Sequence, residues 1–70
     1  MKQGTLIFDE TDGRYDIRFG VDDYYGGLHC GECMEVSIGG KWQPTRIEMD
    51  EDWYLVGIRA DGLSGLRVRI

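Results

Sequence analysis

The sequence predicts an all-β domain whose short antiparallel strands curl into one small barrel, and three observations lead there. Apolar residues recur with a period of two, glycine-rich turns fall between the alternating runs, and no stretch joins good helix formers to caps at both ends. Seventy residues make one domain, spanning 1–70. A chain of that length buries only roughly 60% of its unfolded surface, which leaves little stability in reserve.

Taken in order, Leu6, Ile7 and Phe8 form a short apolar run that opens the first strand. Asp12-Gly13 follows as a hairpin signal, because primed turns need a positive φ that glycine adopts freely. Tyr15, Ile17 and Phe19 then alternate with Arg14, Asp16 and Arg18, the clearest half-buried strand in the chain. The segment from Gly20 to Glu32 is too long for a tight hairpin and reads as a long loop, a frequent seat of function. Met34, Val36 and Ile38 alternate with Glu35 and Ser37, and Gly39-Gly40 supplies the tightest hairpin connection to a strand from Lys41 to Met49. Pro44 within that strand marks a sheet edge or a bulge.

Asp50-Glu51-Asp52 is too charged for anything but an exposed turn. Trp53 to Ile58 is a continuous aromatic and β-branched run, which suits a central strand or one covered on both faces. Asp61-Gly62-Leu63-Ser64-Gly65 has room for one turn of 3₁₀ helix before Leu66, Val68 and Ile70 alternate with Arg67 and Arg69. Mostly hairpin-joined strands in so short a chain favour an SH3-like, partly open barrel of five to six antiparallel strands, with no α-helix. An OB-like barrel is the alternative, but it wants a helix that is not found.

Thirteen acids against eight bases give a net charge of −5, the opposite of the balance that neutralises phosphates, so nucleic acid is a disfavoured partner. Arg14, Arg18, Arg67 and Arg69 would make a basic patch if their two strands were neighbours, which keeps a nucleic-acid accessory role as an alternative. Outward arginines more often pair with acids such as Asp16 and Glu35. Leu6 to Phe8 is too short for a signal-peptide core or a membrane span, and two cysteines make no disulfide framework. The expectation is a cytoplasmic protein with no membrane partner, monomeric or homodimeric.

The segments Arg14-Tyr-Asp-Ile-Arg-Phe-Gly20, Tyr25-Gly-Gly-Leu-His-Cys-Gly-Glu32 and Trp42-Gln-Pro-Thr-Arg-Ile-Glu48, followed by Trp53-Tyr-Leu55, cover most of the chain. Together they resemble a family of short uncharacterised proteins of low-GC Gram-positive bacteria, domain of unknown function 5348. The resemblance implies a bacterial source and a stand-alone small β-barrel. It assigns no catalytic or binding residue.

Two groups of residues could carry chemistry. Cys30 and Cys33, with His29 beside them, could hold three corners of a zinc tetrahedron, but a structural site needs a fourth ligand from Glu32, Asp22 or a second protomer. A redox reading of the same cysteines lacks the helix N-terminus that lowers a thiol pKa, because Cys33 leads into a strand. The favoured expectation is that one cysteine packs as a small hydrophobe while the other lines a turn, and that no cofactor is bound. The sole histidine finds no nucleophile and acid at triad spacing, so an enzyme is not expected.

The aromatics are the stronger lead. Tyr24, Tyr25, Trp42, Trp53 and Tyr54 are too many large rings for so small an interior, and one of Trp53 and Tyr54 must face outward. Exposed rings beside acids are how small β-barrels hold extended peptides, and Asp22-Asp23-Tyr24-Tyr25 has that composition. The sequence does not fix the function. It favours a non-catalytic module binding a protein or peptide through Asp22, Asp23, Tyr24, Tyr25, Trp42 and Tyr54.

Overall fold

In the computed structural model, which describes residues 1–70, the alternating segments pair into one antiparallel sheet of seven strands with no helix. β1 (Gln3–Asp9) pairs with β2 (Arg14–Gly20), and β2 with the two-residue β3 (Asp23–Tyr24). β4 (Cys33–Ile38) and β5 (Lys41–Met49) run in register from Cys33 opposite Arg46 to Ile38 opposite Lys41. β6 (Trp53–Leu55) adds to the far end of β5, and β7 (Arg67–Arg69) lies between β1 and β4. The order β3-β2-β1-β7-β4-β5-β6 leaves the sheet unclosed, ending in two short strands, of which β6 covers only the last third of β5.

Alternation decides the core. Leu6, Ile17, Met34, Val36, Ile47, Leu55 and Val68 project from six strands to one side, and loops add Leu28 and Leu63. Each such side chain contributes about 1.5–3 kcal/mol on burial, so these nine residues carry most of the fold. The sheet curls around them until the Trp53 indole on β6 donates a 3.1 Å hydrogen bond to the Gly13 carbonyl at the β1–β2 turn. The end strand β6 is thereby tied to the β1–β2 turn near the other end of the order. Gly4 sits where β1 crosses closest to β2: a Cβ there would lie 2.6 Å from the Arg18 carbonyl oxygen.

Both expected hairpin turns form. Gly39 and Gly40 have φ of 58° and 79°, the two positive values a type I′ turn requires. At the β1–β2 turn the Asp9 side chain accepts a hydrogen bond from the Thr11 amide (2.9 Å), and its carbonyl accepts from Gly13 (2.8 Å). Pro44 lies where β5 has no outer partner, since β6 pairs only with Ile47 to Met49.

Three expectations need correction. The run from Trp53 to Ile58 is not a central strand: it is a three-residue edge that stops at Leu55, and Gly57 turns the chain with φ 76°. Hydrophobic content there reflects end-on packing of Trp53 and Ile58 against the core, with Tyr54 facing out. The Asp61–Gly65 segment closes one hydrogen-bonded turn, Leu66 amide to Leu63 carbonyl at 3.1 Å, without a 3₁₀ helix. The long loop contains a seventh strand, β3, set off from β2 by an irregularity between Arg18 and Gly20. No helix is long and apolar enough to cross a membrane.

Candidate functional site

The segment after β3 follows the edge of β2 without being a regular strand. The Tyr25 amide donates to the Ile17 carbonyl (2.9 Å) and the Leu28 amide to the Tyr15 carbonyl (2.8 Å). Between them Gly26 and Gly27 bulge outward with φ of 110° and 99°, a path open to glycine. Asp16 completes the pairing: its Oδ1 accepts hydrogen bonds from Gly26 (3.0 Å), Gly27 (2.9 Å) and its neighbour Ile17 (2.8 Å). Asp16 is therefore 8% exposed, not a solvated partner for arginine as its strand position suggested. Glu35 does pair as expected, with Arg69 at 2.6 Å.

Leu28 enters the core with no exposed surface, and the chain then turns back. The Glu32 amide donates to the His29 carbonyl (3.2 Å), with Gly31 at φ 90° in the third position of the turn. The Glu32 carboxylate accepts from the Tyr25 hydroxyl (2.5 Å) and the His29 amide (2.7 Å). The bond to Glu32, some burial and the carboxylate charge together raise the Tyr25 phenol above its ordinary pKa. Arg14 donates to the Leu28 carbonyl (3.0 Å) and to His29 Nδ1 (3.1 Å), which must accept because a guanidinium only donates. Tyr25 and His29 are thus parts of the scaffold. Cys30 and Cys33 are both exposed free thiols, so neither packs as the interior hydrophobe expected: the turn at Gly31 and the solvent side of β4 keep them out of the core. No three His, Cys, Asp or Glu side chains converge within one chain.

Against the outer side of the glycine bulge lies an open groove of about 670 Å³. Phe8 and Tyr24 supply its rings, 42% and 47% exposed, and Asp9, Glu10 and Asp12 supply its rim. Phe8 is held edge-on against Tyr15, with ring centroids 5.1 Å apart. The pairing of β1 with β2 and of β2 with β3 brings together residues that are distant in sequence.

The other expected binding residues lie elsewhere. Asp22 is exposed beside β3, and Asp23 pairs with Lys2 at 2.7 Å. Trp42 lies under the Arg69 guanidinium at 4.3 Å, and Tyr54 lines a separate cleft of about 200 Å³ with Trp53 and Ile58. The expected set is dispersed, and Tyr24 alone lines the groove. In the sequence Phe8 reads as strand and Asp12 as turn, and Glu10 stands out in no pattern. The available signal was that Phe8 ends an apolar run immediately before charged residues. Of the four arginines, Arg18 donates to the Gly20 carbonyl (3.0 Å), and β1 separates its strand from that of Arg67.

Residues 4–70 match the family described as Domain of unknown function (DUF5348), and the chain belongs to that family. It is similar to a protein from Ruminococcus gnavus whose crystal structure was solved by the Northeast Structural Genomics Consortium. The identity is 57% and the TM-score 0.93, covering 97% of this chain and 99% of that one. None of the curated proteins matches.

Proposed function

We propose that this member of the DUF5348 family is a non-catalytic module that docks an extended segment of a partner protein in the groove beside the glycine bulge. The observation that carries the reading is a concave surface in which two half-exposed rings, Phe8 and Tyr24, stand next to a polar rim. Aromatic-lined grooves suit extended peptides because the rings give large contact area and few rotamers to freeze. The floor is fixed by Asp16 and Leu28, so docking orders little additional chain. Catalysis is not supported, since the one histidine has its Nδ1 occupied by Arg14. We place the protein in the cytoplasm, where Cys30 and Cys33 would stay reduced thiols.

The test is selection from a displayed peptide library, followed by titration of the selected peptide. Tyr24→Ala is expected to weaken binding by about tenfold or more with an unchanged melt, as for a central interface aromatic. Tyr54→Ala is expected to leave binding intact. The reverse pattern would move the docking surface to the smaller cleft and overturn the assignment.

A further inference from the structure

The groove differs from two other aromatic patches of the surface in what it lacks. Two half-buried rings elsewhere are covered by the protein's own cations: the Lys2 ammonium lies 4.4 Å from the Phe19 ring centroid, and the Arg69 guanidinium 4.3 Å from that of Trp42. The same two cations also meet carboxylates, Lys2 with Asp23 at 2.7 Å and Arg69 with Glu35 at 2.6 Å. Ring, cation and carboxylate therefore form a repeated unit on this surface. At the groove the ring and the carboxylate are present and the cation is missing. No lysine or arginine lines it, and Phe8 and Tyr24 carry no cation over their faces. Glu10 and Asp12 enter no ion pair.

The carboxylates are not equivalent. Asp9 accepts a bond from the turn, and Asp16 holds three backbone amides, so both are committed to structure. Glu10 and Asp12 are the acids left for a ligand. A guanidinium suits this arrangement better than an ammonium, because its plane stacks on an aromatic face while its edge donates two parallel bonds to a carboxylate.

We infer that the groove selects a cationic peptide, in which an arginine stacks on Tyr24 or Phe8 and meets Glu10 or Asp12. This rests on the docking reading proposed above and adds the chemistry of the partner. Charge complementarity argues for it twice, in the acidic rim and in the net charge of −5, which draws a basic segment in.

The experiment uses a short proline-spaced peptide with two arginines and a twin in which both are citrulline, of the same shape without the charge. Each is titrated into the isotopically labelled protein at low and at high salt, with amide shifts as the readout. The arginine peptide is expected to move the Phe8, Tyr24, Gly26 and Gly27 signals and to bind roughly tenfold more tightly than its twin, with the advantage shrinking in salt. The paired change Glu10→Gln with Asp12→Asn is expected to remove that advantage. A matched loss of charge at a remote turn, Asp50→Asn with Glu51→Gln, is expected to keep it. Equal binding of both peptides in the groove would overturn the cationic preference and leave the docking reading standing. Groove signals unmoved by either peptide would overturn both. Equal losses from the two paired changes would show general attraction to an acidic protein and overturn the assignment of Glu10 and Asp12.

Discussion

The segment from Gly26 to Glu32 and the turn at Asp50–Asp52 both connect strands, and both read from sequence as loop. The structure treats them in opposite ways. The longer one is wired down: Leu28 fills the core, Asp16 and Glu32 bind its amides, and Arg14 holds one of its carbonyls. The shorter one bonds only within itself, through the Asp50 amide to the Asp52 carbonyl (3.1 Å) and the Trp53 amide to the Asp52 side chain (2.8 Å). Loop length is thus a poor guide to rigidity. What fixes a connection is one apolar anchor, together with side chains that satisfy the backbone groups the sheet leaves over.

The sharpest way to break the contrast is to remove the anchor. Leu28→Ala is expected to cost about 2–5 kcal/mol in urea unfolding, the range for emptying a leucine site in a packed core. Its mark on the longer segment would be faster amide exchange at Gly26 and Gly27. Asp16→Ala should come next, at about 2 kcal/mol, because it leaves two bulged amides without their acceptor. A wild-type urea midpoint for that variant would mean that the apolar anchor alone holds the segment.

A smaller effect is expected from Tyr25→Phe, and it has a signature in pH. The phenol pKa is raised in the folded state, so its bond to Glu32 stabilises the protein fully below the ordinary value of 10.0. That contribution is lost as pH rises through the folded value, because the unfolded chain ionises first. Between about pH 9 and 11 the wild type should therefore lose more stability than Tyr25→Phe, measured as urea midpoints. At the bottom of the scale, Glu51→Gln in the self-contained turn should stay within about 0.5 kcal/mol of wild type.

The sequence made the β-periodicity, the Gly39-Gly40 turn and the inward residues of β2, β4 and β7 legible, because each depends on neighbours a few positions away. The end of β6 was hidden, since Trp53 to Ile58 is apolar throughout and only Gly57 interrupts it. Leu28 could have been noticed as the one large aliphatic among glycines from 26 to 31. The duty of Asp16 could not: an acid at an alternating strand position looks solvated until the chain ten residues later is laid over it. The groove was illegible for the same reason. Phe8 and Tyr24 become neighbours through strand pairing, whereas Tyr24 and Tyr25, adjacent in sequence, part company in the fold.

The placement of β7 between β1 and β4 also sets the order in which the sheet can assemble. β4 and β5 meet across two glycines, whereas Gln3 must find Arg69, a span roughly twenty times longer in sequence. Loop-closure entropy makes the second encounter about 3 kcal/mol more expensive than the first. The β4–β5 hairpin, like β1–β2, is therefore a cheap local contact, and the clasp of β1 onto β7 is the costlier, non-local one. In the finished molecule the Lys2 amide bonds to the Ile70 carbonyl (2.8 Å), and the Ile70 amide to the Lys2 carbonyl (3.0 Å). A covalent link between those two residues would turn the most costly closure into a short loop. Cutting the chain at the Asp50–Asp52 turn would then move the long closure from β1 and β7 to β5 and β6, since Met49 and Trp53 would become the distant partners, while every strand keeps its residues.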